Sequence, residues 1–206
     1  MARTKAFDSE AVLEEAMRAF WSAGYAGASV QDLEAATGLG RGSLYNTFGD
    51  KDALMLAVLE RYRLRSAPQV AEALALADPV EAIDRFLRIH LDRMADPDNP
   101  PGCLMAATLL ECAGRGDAIE RKAVDHLHAS ERALYEMFSR AQKAGRLSTA
   151  QDPRALARFY IGVTRGMALV HRATQDLTMV QDIARVALDA LRIPPAESGR
   201  SRHKSR

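Results

Sequence analysis

Apolar residues in this chain recur at intervals of three and four almost throughout, and that period constrains the fold more than any other feature. Residues 8–23 place Val12, Leu13, Ala16, Met17, Phe20 and Trp21 on one stripe, the spacing of a helix that buries one face. Alternating β-branched runs are missing, and Ala, Leu, Glu, Arg and Met dominate, most of them strong helix formers. The chain therefore reads as all-α.

Punctuation divides it into helices. Asp8 or Ser9 is placed to cap the first, and Gly24 follows its end. Ser29 opens a second with Asp32 in the S-x-x-D box, and Gly38 ends it. A third spans about 41–48, and a fourth runs from near Asp50 to about Arg65, where Pro68 interrupts it. Asp78-Pro79 and Asp152-Pro153 each join a cap to a first-turn proline, predicting helices to about Ala95 and Thr174. The loop 96–102 separates the first of these from a helix over about 102–113, which stops at Gly114. Another runs from near Asp117 to Gly145, and Thr178 starts the last, which ends before Pro194.

Helices two and three form a distinct pair. Each has about eight or nine residues, and a short turn containing Gly38 joins them, the pattern of a helix-turn-helix. Leu44 and Phe48, four apart, mark the buried side of helix three, leaving Gly42 and Asn46 opposite, flanked by Ser43 and Tyr45. So small and hydrogen-bonding a face suits entry into a DNA major groove about 12 Å wide. Lys51 falls in the first turn of helix four, whose amides also favour an anion such as phosphate.

Net charge neither announces nor excludes nucleic acid. The chain has 206 residues and a formal charge of +1. Residues 1–51 hold five cations (Arg3, Lys5, Arg18, Arg41, Lys51) against seven acids, so DNA contact has to rest on particular cations. Two cysteines, Cys103 and Cys112, make no disulfide framework and lack metal-finger company. No apolar run approaches the roughly 20 residues of a membrane span. The basic start MARTK is not followed by an apolar stretch, so no signal peptide is read and a cytoplasmic protein is expected. No metal or cofactor is expected. No phosphate loop, Ser/His/Asp cluster or HExxH motif points to an enzyme.

The run TGLGRGSLYNTFGDKDALMLAVLE resembles the DNA-binding module of the TetR family of bacterial transcriptional repressors. Leu44-Tyr45-x-x-Phe48-x-x-Lys51-x-x-Leu54 carries the family spacing, with Phe20, Gly24, Tyr25 and Ser29 in register before it. The likeness is strong over about residues 8–60 and looser beyond. It implies a three-helix DNA-binding domain over 1–51 and a helical effector-binding and dimerisation domain over 52–193; the basic tail 194–206 has no apolar residue to bury beyond one Ala and is expected to be disordered. The likeness also implies a homodimer on a palindromic double-stranded operator, released by a small-molecule effector. Tyr45 and Lys51 fall where the family grips phosphate, and Arg41, Gly42, Ser43, Asn46 and Thr47 fall on its recognition helix. Ser29 and Gln31 start the helix before it, and Arg3 and Lys5 are placed to reach phosphate or the minor groove. Asn46-Thr47 departs from the aromatic pair of many members, and Glu34 replaces a commonly small residue.

In the C-terminal part, two stripes read as core or dimer face: Leu156, Phe159, Tyr160, Val163, Met167 and Val170, then Val180, Ile183, Ala184, Ala187 and Leu191. Gly162 and Gly166, four apart, permit close helix approach. Cys103 follows Pro-Pro-Gly at a helix start, where dipole and amides stabilise a thiolate. It resembles a family subgroup with Cys at this place, some of which sense electrophiles or oxidants; the other reading is a small buried hydrophobe. Cys112 reads as core. The resemblance implies an effector pocket, for which Tyr62, Met94, Met105, Tyr135, Phe138, Phe159 and His171 are lining candidates or plain core. Few charged residues fall at inward positions, which suggests an apolar effector. His90, His126 and His128 read as surface. The competing function is a helical protein-interaction module that binds no DNA.

Overall fold

The computed structural model describes residues 8–192. Arg3, Lys5 and the tail 194–206 lie outside them. Ten helices follow one another: α1 Ser9–Gly27, α2 Val30–Thr37, α3 Arg41–Phe48, α4 Lys51–Leu64, α5 Ala67–Ala75, α6 Pro79–Ala95, α7 Leu104–Glu111, α8 Ala118–Lys143, α9 Pro153–Thr174 and α10 Leu177–Arg192. None among the described residues is long and apolar enough to cross a membrane.

Local chemistry sets most boundaries. Asp8 caps α1, Asp78 caps α6 and Asp152 caps α9, each through its side-chain oxygen. Ser29 and Asp32 close the full capping box on α2, and Gly38 ends that helix in the left-handed region, φ 69°. Gly24 breaks α1 with φ 78°. A Cβ added there would stand 2.7 Å from Glu111 Oε2, so both conformation and space require glycine.

Two boundaries differ from the sequence reading. Pro68 does not merely interrupt a helix: it sits in the first turn of α5, where a missing N–H costs nothing. The helix after the loop is shorter than 102–113, starting after Cys103 and ending before Cys112.

One apolar core runs from Val12 to Leu191. At one end α1, α2 and α3 surround Phe20, Leu33 and Leu44. α4 packs against α1 and α3 there and against α7 and α8 further along, so it belongs to both ends. α8, α9, α10 and α6 form the rest of the body, each packed on the next.

Candidate functional site

Leu44 is buried and fixes the roll of α3. Arg41, Gly42, Ser43, Asn46 and Thr47 then face outward, exposed, while Tyr45 and Phe48 are half-buried. Ser29 and Gln31 are exposed at the start of α2. Gly40 offers α3 no side-chain cap. Glu34 supplies one instead: its Oε1 accepts the Arg41 backbone N–H at 2.5 Å. The residue that departs from the family habit thus fastens the reading helix to the one before it. Arg41 also lies over the Tyr45 ring, 5.7 Å from its centroid.

Behind α3, Lys51 Nζ sits 4.6 Å above the Tyr25 ring, and Arg115 covers the same tyrosine at 4.5 Å. The Tyr25 hydroxyl donates to Asp52. This cluster holds the first turn of α4 beside the break in α1.

The break itself is gripped from the body. Glu111, at the last turn of α7, accepts the backbone N–H of Tyr25 at 2.8 Å and of Ala26 at 2.5 Å. Arg172 of α9 donates to the carbonyls of Trp21 and Ser22 at 2.9 and 3.0 Å. These four bonds tie the end of α1 to two helices of the body.

A cavity of about 420 Å³ opens between α4, α5, α6, α8 and α9, within the range of small-molecule sites. α5 contributes an apolar wall of Val70, Ala71 and Leu74. The cavity also has a basic lining. Arg63, Arg93, Arg140 and Arg165 line it with His90 and His126, against one acid, Glu136. Arg63 is neutralised by Glu60 at 2.5 Å, and Arg140 donates to the Leu74 carbonyl. Arg93 has only hydroxyl partners, Tyr62 at 3.0 Å and Ser66 at 2.5 Å.

Cys103 meets this cavity as the N-cap residue of α7. The Tyr62 hydroxyl donates to its Sγ at 3.1 Å, so Arg93, Tyr62 and Cys103 form a chain of donors ending on sulfur. Burial opposes the thiolate, but Arg165, Arg93 and the Tyr62 bond outweigh it and hold the thiol below its usual range. Tyr62 also meets Trp21 of α1 edge to face, centroids 5.1 Å apart. Cys112 is buried, and burial pushes its thiol up.

Other expected lining residues lie elsewhere. Met94 and Met105 are buried in the core; Met105 follows Cys103 by two positions and so points away from it. Phe138 stacks on Tyr160, centroids 5.7 Å apart, between α8 and α9. Tyr135 is half-buried beneath Arg154. His171 is buried, its Nδ1 taking the Gly102 N–H at 3.0 Å. Phe159 is 46% exposed on the outer side of α9. The histidine reading needs correction too. His128 is exposed, but His90 and His126 turn inward to the cavity. Burial, aided by the arginines, pushes His90 down to about 3 and His126 to about 4. Four arginines and two histidines thus stand among the apolar residues of the lining, more inward charge than the sequence suggested.

Phe159 belongs to a second surface. Phe159, Gly162, Gly166 and Leu169 fall on one side of α9 by their spacing. Phe159 and Leu169 are exposed, and a Cβ on either glycine would meet nothing within 4 Å. Met179 and Val186 of α10 are exposed as well.

A helix-turn-helix head on an all-helical body is the architecture of a DNA-binding regulator. Comparison with known proteins narrows the class. Residues 12–58 match the family described as bacterial regulatory proteins, tetR family. Residues 79–187 match the tetracyclin repressor-like C-terminal domain. The chain is 30% identical to the uncharacterized HTH-type transcriptional regulator YezE of Bacillus subtilis (strain 168), covering 93% of this chain and 100% of that one. It is equally 30% identical to the HTH-type transcriptional repressor ComR of Escherichia coli (strain K12), over 90% of each. Among solved structures it resembles a cysteine mutant of the TetR family regulator CifR complexed with 26-base-pair operator DNA, at TM-score 0.84 and 28% identity, covering 91% of this chain and 99% of that one. The chain belongs to the TetR family of transcriptional repressors, which bind operator DNA and act as dimers. Its relatives are regulators, not enzymes.

Proposed function

We propose that this protein represses genes by binding a two-fold operator in the cytoplasm, and that a small effector in the cavity releases it through Cys103. Residues 1–51 act as the reading head and 52–193 as the body that dimerises and senses. The exposed polar face of α3 carries the DNA part. Asn46 suits adenine and Arg41 guanine in the major groove. Gly42, Ser43 and Thr47 line the same face, while Tyr45, Lys51, Ser29 and Gln31 hold phosphates. A similar protein bound to a 26-base-pair operator supports this reading. The outer faces of α9 and α10 meet their two-fold copies, so two heads address successive major grooves.

The sensing part rests on Cys103, a buried sulfur that accepts a hydrogen bond and borders a ligand-sized space. An electrophile bound there meets a thiolate-biased nucleophile. α7 then transmits the change from Cys103 at its start to Glu111 at its end.

Selection of bound fragments from the source genome tests the DNA reading. Recovered sites should be palindromic, and Arg41→Ala or Asn46→Ala should each weaken binding by about 1–3 kcal/mol. Equal binding by both variants overturns it. For sensing, Cys103→Ser should stay on the operator when an electrophile such as N-ethylmaleimide releases the parent chain. Release of the variant as well removes Cys103 from the role.

A further inference from the structure

We infer that the cavity beside Cys103 is an anion-recognition site, and that its effector is a small organic carboxylate seated on Arg165 and Arg93. This inference rests on the cavity being the effector site.

Arg165 carries the argument. It lines the cavity from α9, and its Nε is buried with no hydrogen-bond partner among the described residues. No carboxylate pairs with it there, in contrast with Arg63, which Glu60 neutralises. Arg165 is half-buried and its terminal nitrogens too have no partner among the described residues; an unpaired guanidinium in a cleft is costly, so those nitrogens are the donors a ligand would meet. Arg93 is the second cation. Among the described residues its side chain bonds the Tyr62 and Ser66 hydroxyls and pairs with no carboxylate. A planar, forked donor matches a carboxylate in two parallel bonds.

Three further groups register the same field. His90 and His126 are held neutral by burial, with Arg93 and Arg165 adding to the effect. Cys103 is biased toward thiolate against its burial, and Arg165 is the foremost cause. Val70 and Leu74 of α5 add apolar surface to the same cavity. A ligand with a charged head and a short carbon body satisfies both. A neutral apolar molecule would leave Arg165 unpaired and is disfavoured on that account.

Two alkylating reagents of nearly equal size make the test. Iodoacetate and iodoacetamide both react with a thiolate, whose sulfur forms the new S–CH2 bond as iodide leaves with its electron pair. Only iodoacetate carries an anion. The rates at Cys103 are read by peptide mass mapping of the full chain at constant ionic strength, with glutathione as the free-thiol reference. Cys103 should favour iodoacetate over iodoacetamide by about tenfold or more relative to glutathione. Arg165→Gln should remove most of that preference and Arg165→Lys should keep much of it. On the unaltered chain, benzoate should slow alkylation of Cys103 where benzamide at the same concentration does not.

A wild-type preference no greater than that of glutathione overturns the anion site while leaving the sensing role of Cys103 intact. So does a preference that survives Arg165→Gln. If Cys103 reacts with neither reagent until the chain is unfolded, the effector-cavity reading falls too, and the anion site with it.

Discussion

Cys103 and Glu111 stand at the two ends of the same short helix. Cys103 precedes the first residue of α7 and borders the cavity; Glu111 is its last residue and holds the backbone of Tyr25 and Ala26. The eight residues of α7, the last of them Glu111, rise about 12 Å. In the proposed mechanism, a shift or tilt at the sulfur would move the end of α1 through this short helix.

Removing the grip should loosen the head without disturbing the body. Glu111→Ala is expected to cost about 1–2 kcal/mol, the scale of hydrogen bonds to a charged acceptor that is partly exposed. Gly24→Ala should cost more than an ordinary glycine replacement, because φ 78° and the 2.7 Å approach to Glu111 both oppose it. Denaturant unfolding of both single variants and the double variant measures the coupling. Strict additivity would show that the clash with Glu111 plays no part.

Glu34→Ala should fray the start of α3. Loss of an N-terminal cap costs about 0.5–2 kcal/mol, and here Glu34 is the residue that satisfies Arg41 N. Operator affinity should fall, while Cys103 alkylation, which reports the cavity, stays unchanged. Gln at this position should recover part of the loss, since its amide oxygen still accepts.

Stability should decline on the acid side before the carboxylates titrate. His90 and His126 bind protons more weakly in the folded chain, at about 3 and 4, than the roughly 6.5 of an unfolded histidine. Unfolding therefore takes up protons below about pH 6.5, and stability falls as pH drops from there toward 4. The groups facing them are Arg93 and Arg165, with Arg63 and Glu60 also near His126. His90→Gln with His126→Gln should flatten the profile of denaturant midpoint against pH over that window. An unchanged slope would place the proton uptake elsewhere.

The outer face of α9 should govern assembly. Phe159→Arg or Leu169→Arg puts a charge on an exposed apolar stripe, and sedimentation should show monomers where the parent chain is dimeric. Leu110→Arg, at an exposed apolar residue on α7, is the control and should leave the dimer in place. Monomers should also lose operator affinity, because two linked heads bind far better than one.

Helix positions were readable because caps and period are local. Asp78-Pro79, Asp152-Pro153 and the Ser29-Asp32 box each act within four residues. The same holds for α3: Leu44 alone fixes which residues face out. Pro68 misled because proline stops one helix and starts another with the same chemistry. The cavity was not readable, since Tyr62, His90, His126 and Arg165 come from four different helices. That Arg165 lacks a partner is a property of the assembled neighbourhood, whereas Arg63 finds Glu60 three residues away on its own helix. Glu34 read only as a departure from a commonly small residue, because its partner, a backbone amide seven residues on, leaves no mark on side-chain pattern.

Trp21 is the sole tryptophan in the chain. Its indole lies fully buried against Tyr62, whose hydroxyl reaches the Cys103 sulfur, and its carbonyl is held by Arg172. Indole emission shifts with polarity and with nearby quenchers, and here one fluorophore sits between Cys103 and the helix-turn-helix. The molecule thus carries a built-in optical gauge: a change at Cys103 that travels through Tyr62 meets the tryptophan, and its spectrum would time the event without any label.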